Sequence, residues 1–151
     1  MEEGGRAPTL SELLGEHHYQ VDTKGRISLP TKFRGAFEDG VYLTLGQDGC
    51  LFAFPRPEWE RRKEEVEALP ISEPANRAYA RMFFGNADRA ELDPQGRLIL
   101  PRALRDNAHL GREVAVVGVS DRLEIWDGAE WQRYRDSHGG SYSSGALVPE
   151  R

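Results

Sequence analysis

The chain has a single cysteine, Cys50, among 151 residues, so no disulfide can form within it. A thiol left alone fits a reducing compartment, and a cytoplasmic location is expected. Cys50 follows a turn glycine at the start of an apolar run and reads as a packed thiol. Long hydrophobic runs are missing too: none approaches the ~18 residues that span a bilayer, so no membrane partner is expected. Met1 to Glu16 is acidic and has no apolar stretch, so it is not expected to act as a signal peptide. Histidines are few. His17 and His18 are adjacent, which puts them on opposite faces of a strand, while His109 and His138 stand alone. No metal site is expected from them. Gly-x-Ser-x-Gly, His-Glu-x-x-His, phosphate-cradling and dinucleotide-binding patterns do not occur. The carboxylates are scattered, and no acid–base pair can be named. These absences argue against an enzyme, a bound cofactor and a small-molecule substrate.

What the chain has is a repeat. Val21-Asp22-Thr23-Lys24-Gly25-Arg26-Ile27-Ser28-Leu29-Pro30 returns 71 residues later as Leu92-Asp93-Pro94-Gln95-Gly96-Arg97-Leu98-Ile99-Leu100-Pro101. The match runs on through Phe33-Arg34 and Leu104-Arg105 to Gly40 and Gly111. Leu51, Phe54, Glu58 and Trp59 then meet Leu123, Trp126, Glu130 and Trp131 at an offset of 72. Repetition constrains architecture before any local pattern does. A unit of about 45 residues cannot bury much apolar surface alone, so two copies are expected to share one core.

The formal net charge is −5, which at first sight disfavours a polyanionic partner. Its distribution says more than its sum. Residues 22–34 hold four basic side chains against one acid, and residues 93–105 hold three against one, leaving −10 for the rest. Positive charge is concentrated in the repeated motif. Arginine abundance is no signal by itself, because 17 of the 20 basic residues are arginine throughout the chain.

Each repeat reads as a short strand, a tight turn, a second strand, a short helix, a hairpin and a closing helix. Asp22-Thr23-Lys24-Gly25 and Asp93-Pro94-Gln95-Gly96 are type I turn sequences ending on a glycine free to take positive φ, which predicts a bulged hairpin. The following strands, 26–29 and 97–100, alternate polar and apolar until Ile99 breaks the pattern. Pro30 and Pro101 end them and open short helices over 31–37 and 102–108. Hairpins follow at 41–45 with 51–54, and at 114–117 with 123–126. Asp127 and Glu130 fit a capping box ahead of Trp131. Helices are expected over about 57–69 and 73–84, the latter with Ala75, Tyr79, Met82 and Phe83 as its apolar stripe. The predicted organisation is a weakly ordered segment over 1–16, repeat 1 over 17–60, a helical connector over 61–87, repeat 2 over 88–135 and a flexible tail over 136–151. The fold class is mainly β with helical additions, α+β.

Asp-x-x-Gly-Arg followed by an apolar strand and proline resembles the AbrB-type swapped-hairpin DNA-binding proteins. Two tandem copies, closed by Trp59 and Trp131, resemble the MraZ family of bacterial transcriptional regulators over roughly residues 17–135. That resemblance implies two tandem AbrB-like repeats forming one pseudo-dimeric β-barrel. It also implies ring-like homo-oligomers, a nucleoid-associated location, and sequence-specific binding to repeated promoter boxes near cell-division and cell-wall genes.

The residue chemistry allows competing assignments. Arg26 and Arg97 follow a turn glycine and can enter a DNA groove, pairing with guanine or clamping phosphate. They can equally bridge to Asp22 and Asp93 four residues back and stiffen the turn, and both roles are compatible. Asp22, Gly25, Asp93 and Gly96 are read as the structural residues of the motif. Lys24 at a turn tip is a phosphate contact or a solvated charge; its counterpart is Gln95. Arg34 and Arg105 are DNA contacts, as the resemblance implies, or helix-end charges favoured by the dipole. Lys32 reads as a surface charge. Trp59 and Trp131 read as anchors of the closing helices rather than platforms for bases. A different class of function is also open, in which the duplicated unit is a non-DNA assembly or protein-interaction module.

Overall fold

The computed structural model describes residues 12–150. The first segment predicted from sequence, 1–16, lies mostly outside them, and its last residues belong to strand β1. Eight strands and five helices follow one another as β1 (Leu13–Gln20), β2 (Arg26–Ser28), α1 (Thr31–Arg34), β3 (Val41–Leu45), β4 (Leu51–Pro55), α2 (Arg56–Glu67), α3 (Pro74–Gly85), β5 (Asp88–Ala90), β6 (Arg97–Ile99), α4 (Arg102–Asn107), β7 (Glu113–Ser120), β8 (Leu123–Asp127) and α5 (Gly128–Ser143). A single 3₁₀ turn, Gly35–Phe37, extends α1.

Strand order carries the main architectural result. A six-stranded antiparallel sheet runs β1-β7-β8-β4-β3-β5, and a separate ribbon pairs β2 with β6. The first strand of each repeat is therefore laid against the other repeat. β1 pairs with β7 over its whole length, from Leu13 opposite Ser120 to Gln20 opposite Glu113. β5 pairs with β3 from Val41 opposite Ala90 to Leu43 opposite Asp88. β4 meets β8 at the centre, with Phe52 opposite Glu124. Exchanging the two repeats leaves this pairing scheme unchanged, which gives the molecule an internal pseudo-two-fold relation.

The β-strands do not close into a barrel. The large sheet ends in two edges, β1 and β5, and the ribbon stands apart from it. The ribbon strands are three residues long, and after one intervening residue each meets a proline, Pro30 or Pro101, which has no N–H to extend a ladder.

Both faces of the sheet are covered, which makes three layers. On one face, Ile27, Leu29, Leu98 and Leu100 from the ribbon segments pack with Phe33, Phe37 and Leu104 against Val41, Leu43, Leu51, Val116 and Ile125. On the other, Phe52, Phe54, Ala115, Val117 and Trp126 meet Trp59, Phe83, Trp131 and Tyr134 from the long helices. Period-two alternation thus sends odd and even residues of β4 into different cores, and every residue of that strand is buried. Trp59 is sandwiched between Tyr42 and Phe83, with ring centroids 5.4 Å apart on each side. The buried Thr44 hydroxyl donates to the Phe83 carbonyl and ties α3 to β3. Helix α3 is therefore packed against repeat 1 through its second half.

Cys50 is buried and donates to the Gln47 carbonyl, and burial pushes its thiol up to about 12. His17 lies edge-on to Phe33, and His18 hydrogen-bonds Glu16. At the other end, α5 runs on to Ser143, through the serine- and glycine-rich stretch that composition reads as tail. Its start is fixed by Asp127, which accepts the Glu130 N–H. Its middle is held by packing of Trp131 and Tyr134 on Trp126, and His138 stacks on Tyr134 at 4.1 Å. Residues 139–143 beyond them are exposed. Among the described residues, no helix is long and apolar enough to cross a membrane.

Candidate nucleic-acid interface

The two repeated turns are built alike, bond for bond. In the first, Asp22 Oδ1 accepts the backbone N–H groups of Lys24 and Arg26, each at 2.9 Å, while Oδ2 accepts Nε–H of Arg26 at 2.7 Å. In the second, Asp93 Oδ1 accepts from the N–H groups of Gln95 and Arg97 at 2.9 Å, and Oδ2 accepts Nε–H of Arg97 at 2.7 Å. Gly25 and Gly96 close the turns onto the Asp22 and Asp93 carbonyls with φ of 78° and 77°. Glycine is needed there because other residues rarely adopt that conformation.

These bonds act on charge as well as shape. Donation from the Arg26 backbone N–H, joined by its guanidinium, holds the Asp22 carboxyl below the usual aspartate range. Asp93 is lowered in the same way by Arg97. The contribution of both turns to stability is then complete above the ordinary aspartate value and is lost as pH falls through the lower folded value. The bridge from arginine to aspartate, one of the two roles read from sequence, is therefore present. It occupies Nε. Among the described residues, no acceptor reaches the outer Nη nitrogens of Arg26. A guanidinium so held keeps donors available in a fixed orientation.

The ribbon sets the two arginines diagonally across one face. Arg26 lies opposite Ile99, Ile27 opposite Leu98, and Ser28 opposite Arg97. Ile27 and Leu98 point into the core, so Arg26, Ser28, Arg97 and Ile99 share the outer face. Lys24 and Gln95 are exposed at the tips of the flanking turns.

Arg34 and Arg105 stand in a relation the sequence reading missed. Arg34 donates through Nε to the Leu29 carbonyl at 3.2 Å, and Arg105 to the Leu100 carbonyl at 3.0 Å. Each guanidinium lies over the turn glycine of the other repeat: Arg105 over Gly25, Arg34 over Gly96. The only signal for this in the sequence is the shared nine-residue spacing from glycine to arginine in both copies. Lys32 stays at the surface, its ammonium 5.1 Å from the centre of the Phe33 ring. Trp59 and Trp131 belong to the helical layer, on the sheet face away from the ribbon.

This packing makes the turn glycines sensitive to substitution. A Cβ at Gly25 would sit 3.0 Å from an Arg105 nitrogen, whereas one at Gly96 would overlap the Arg34 Nε and Cζ. Gly96→Ala is expected to cost about 1–3 kcal/mol of stability, from positive φ and from displacement of Arg34. Gly25→Ala should cost less. Urea unfolding of both variants checks this. An unchanged midpoint for Gly96→Ala would mean that Arg34 does not rest on the turn.

Among the described residues, no group of three His, Cys, Asp or Glu side chains is placed to hold a metal ion. The candidate surface presents arginines held by aspartates on a ribbon. Comparison with known proteins agrees with the repeat. The family model "MraZ: MraZ protein, putative antitoxin-like" matches twice, over residues 13–82 and 83–144. The first match takes in α3, which sequence reading treats as a connector. The chain is 42% identical over 129 residues to the "Transcriptional regulator MraZ" of Pelotomaculum thermopropionicum, covering 85% of this chain and 89% of that protein. It is 44% identical over 118 residues to the protein of the same name from Deinococcus radiodurans, covering 78% and 83%. Its likeness to the Saccharopolyspora erythraea protein, again so named, is 43% over 130 residues, covering 86% and 91%. With two adjacent family matches and relatives covered over most of their length, the chain belongs to the MraZ family.

Proposed function

We propose that this chain is a sequence-specific DNA-binding transcriptional regulator and not an enzyme. It reads duplex DNA with the β2–β6 ribbon and the two turns beside it. The relatives' shared name supports regulation of transcription. One observation carries the DNA reading: two Asp-fixed arginines, Arg26 and Arg97, share the outer face of a two-stranded ribbon. The major groove of B-DNA admits such a ribbon, and arginine pairs bidentately with guanine there. Arg26 and Arg97 supply the base contacts, Lys24 a phosphate contact, and Arg34 and Arg105 steady the turns while adding positive charge. Asp22, Gly25, Asp93 and Gly96 hold the frame.

The exchange of first strands between repeats supports membership of the AbrB-like swapped-hairpin class, with the two halves acting as a pseudo-dimer. A handful of cations on a chain of net charge −5 binds DNA weakly. Repeating them around a homo-oligomer over repeated promoter boxes multiplies affinity through effective concentration. The sites of action in this reading are promoters of cell-division and cell-wall genes, and the location is the cytoplasm, at the nucleoid.

A gel shift on the DNA upstream of the chain's own gene, run across a salt series, tests the reading. Each neutralised phosphate contributes about 0.9 to the slope of log K against log[salt]. An oligomer on several boxes is expected to give a slope of several units, and Lys24→Ala to flatten it. Binding that ignores salt, or no shift at all, would favour the assembly-module alternative.

A further inference from the structure

Two outer-face residues of the ribbon, Ser28 and Ile99, have no part in the proposed function, and Ile99 is the apolar one. It is 58% exposed, while its neighbours Leu98 and Leu100 are fully buried. Its counterpart in the first repeat is Ser28. The ribbon face is therefore unlike in its two halves. Arg26 has an isoleucine directly across the ladder, and Arg97 has a serine. A β-branched side chain suits a strand, but the same fold closes with serine at the equivalent place, so strand propensity does not require it. Nor does the core use it.

Resting on the DNA reading above, we propose that Ile99 is a specificity residue that packs on the 5-methyl group of a thymine next to the base held by Arg26. Directly opposed residues of a ladder carry Cβ atoms about 4.5–5.5 Å apart. Successive bases on one strand are about 3.4 Å apart along the helix axis. An arginine on guanine and an isoleucine on an adjoining base are thus within one footprint. The thymine methyl is the apolar group that the major groove offers, and apolar side chains recognise it by contact. On the Arg97 side, Ser28 offers a hydroxyl and no apolar surface, so that half has no methyl preference. The pseudo-two-fold protein then reads two unlike half-sites, and its preferred site has a direction along the DNA.

The experiment starts with selection of the full-length protein on a randomised duplex library. Each thymine of the enriched site is then replaced in turn by uracil, which removes only the methyl group. One thymine is expected at which uracil weakens wild-type binding about fourfold, the worth of one buried methyl-sized group. Ile99→Ser should bind the site yet lose that uracil penalty, and Ser28→Ile should acquire a second uracil-sensitive position. An enriched site with a flat uracil profile overturns the role of Ile99 and leaves the DNA reading standing. An Ile99→Ser protein with the wild-type profile does the same. A library that yields no enriched site overturns the DNA reading itself, and the inference with it. The wild-type uracil scan needs no variant to fold.

Discussion

Replacing Arg26 by alanine will weaken specific DNA binding by about 1–3 kcal/mol while leaving the fold intact, and Arg97→Ala will do the same or somewhat less. The expectation of an intact fold comes from the ribbon's inner face. Ile27 and Leu98 are buried against the sheet and hold β2 and β6 whatever stands outside. The turns keep two of their bonds as well, because backbone N–H groups still reach Asp22 and Asp93. The loss is therefore placed on the guanidinium. Arg97 is expected to matter less for two reasons. Its Nη2 already donates to the Gln95 side chain at 3.2 Å, and its turn tip lacks the lysine found beside Arg26. Lysine in place of Arg26 separates charge from geometry. It keeps the cation but loses the planar fork and the Nε bond to Asp22, so most of the specific affinity should go with it. Titration of a promoter fragment with each variant, alongside circular dichroism, decides the matter. Wild-type affinity in both alanine variants with unchanged spectra would remove Arg26 and Arg97 from the interface.

The sequence exposed local structure well because the decisive residues there are local. Asp22 and Gly25 fix one turn within four residues, and Asp93 and Gly96 fix the other. Pro30, Pro101 and Asp127 mark element ends through their own backbone chemistry. Strand β3 was legible to the residue from the run Val41–Leu45. The arginine-to-aspartate bridge was one of two roles that the four-residue spacing left open, and the structure contains it. What spacing could not give was partnership. A strand leading into a tight turn implies pairing with the strand that leaves it, yet β1 goes to β7 and β5 to β3. Nothing in residues 13–30 by themselves distinguishes those outcomes; that depends on which apolar faces the second copy brings. The same limit hid Arg34 on Gly96 and Arg105 on Gly25, which are contacts between repeats. It also explains the closed barrel expected from the family resemblance, since ribbon and sheet differ only in where each strand finds its neighbour. At the C-terminal end, composition set the tail at 136, whereas α5 runs on to Ser143; aromatic packing from Trp126 anchors its first half.

Cutting the chain between Asn86 and Ala87 will leave neither half as a cooperatively folded monomer. Residues 1–86 keep both strands of one hairpin and the helices that cover it. They lose β7 as partner of β1, β6 as partner of β2, and β8 as partner of β4. Fully buried residues such as Leu51, Ala53 and Ile27 would then face water. Residues 87–151 lose the same partners in reverse, and a unit that small rarely buries enough surface to stand alone. Self-pairing is the escape open to each fragment. Because Ile27 lies opposite its own counterpart Leu98, two copies of β2 can pair in the register the ribbon already uses. β4 can do likewise, since Phe52 lies opposite Glu124, its counterpart in β8. The expected products are therefore aggregates, unfolded chains or symmetric dimers, and mixing the fragments should restore a one-to-one complex with the parent's cooperative melt. Sedimentation and thermal unfolding of the separate fragments check this. Two monomers that each melt cooperatively would show that the exchanged strands are dispensable, and the joint presentation of Arg26 and Arg97 would lose its structural basis.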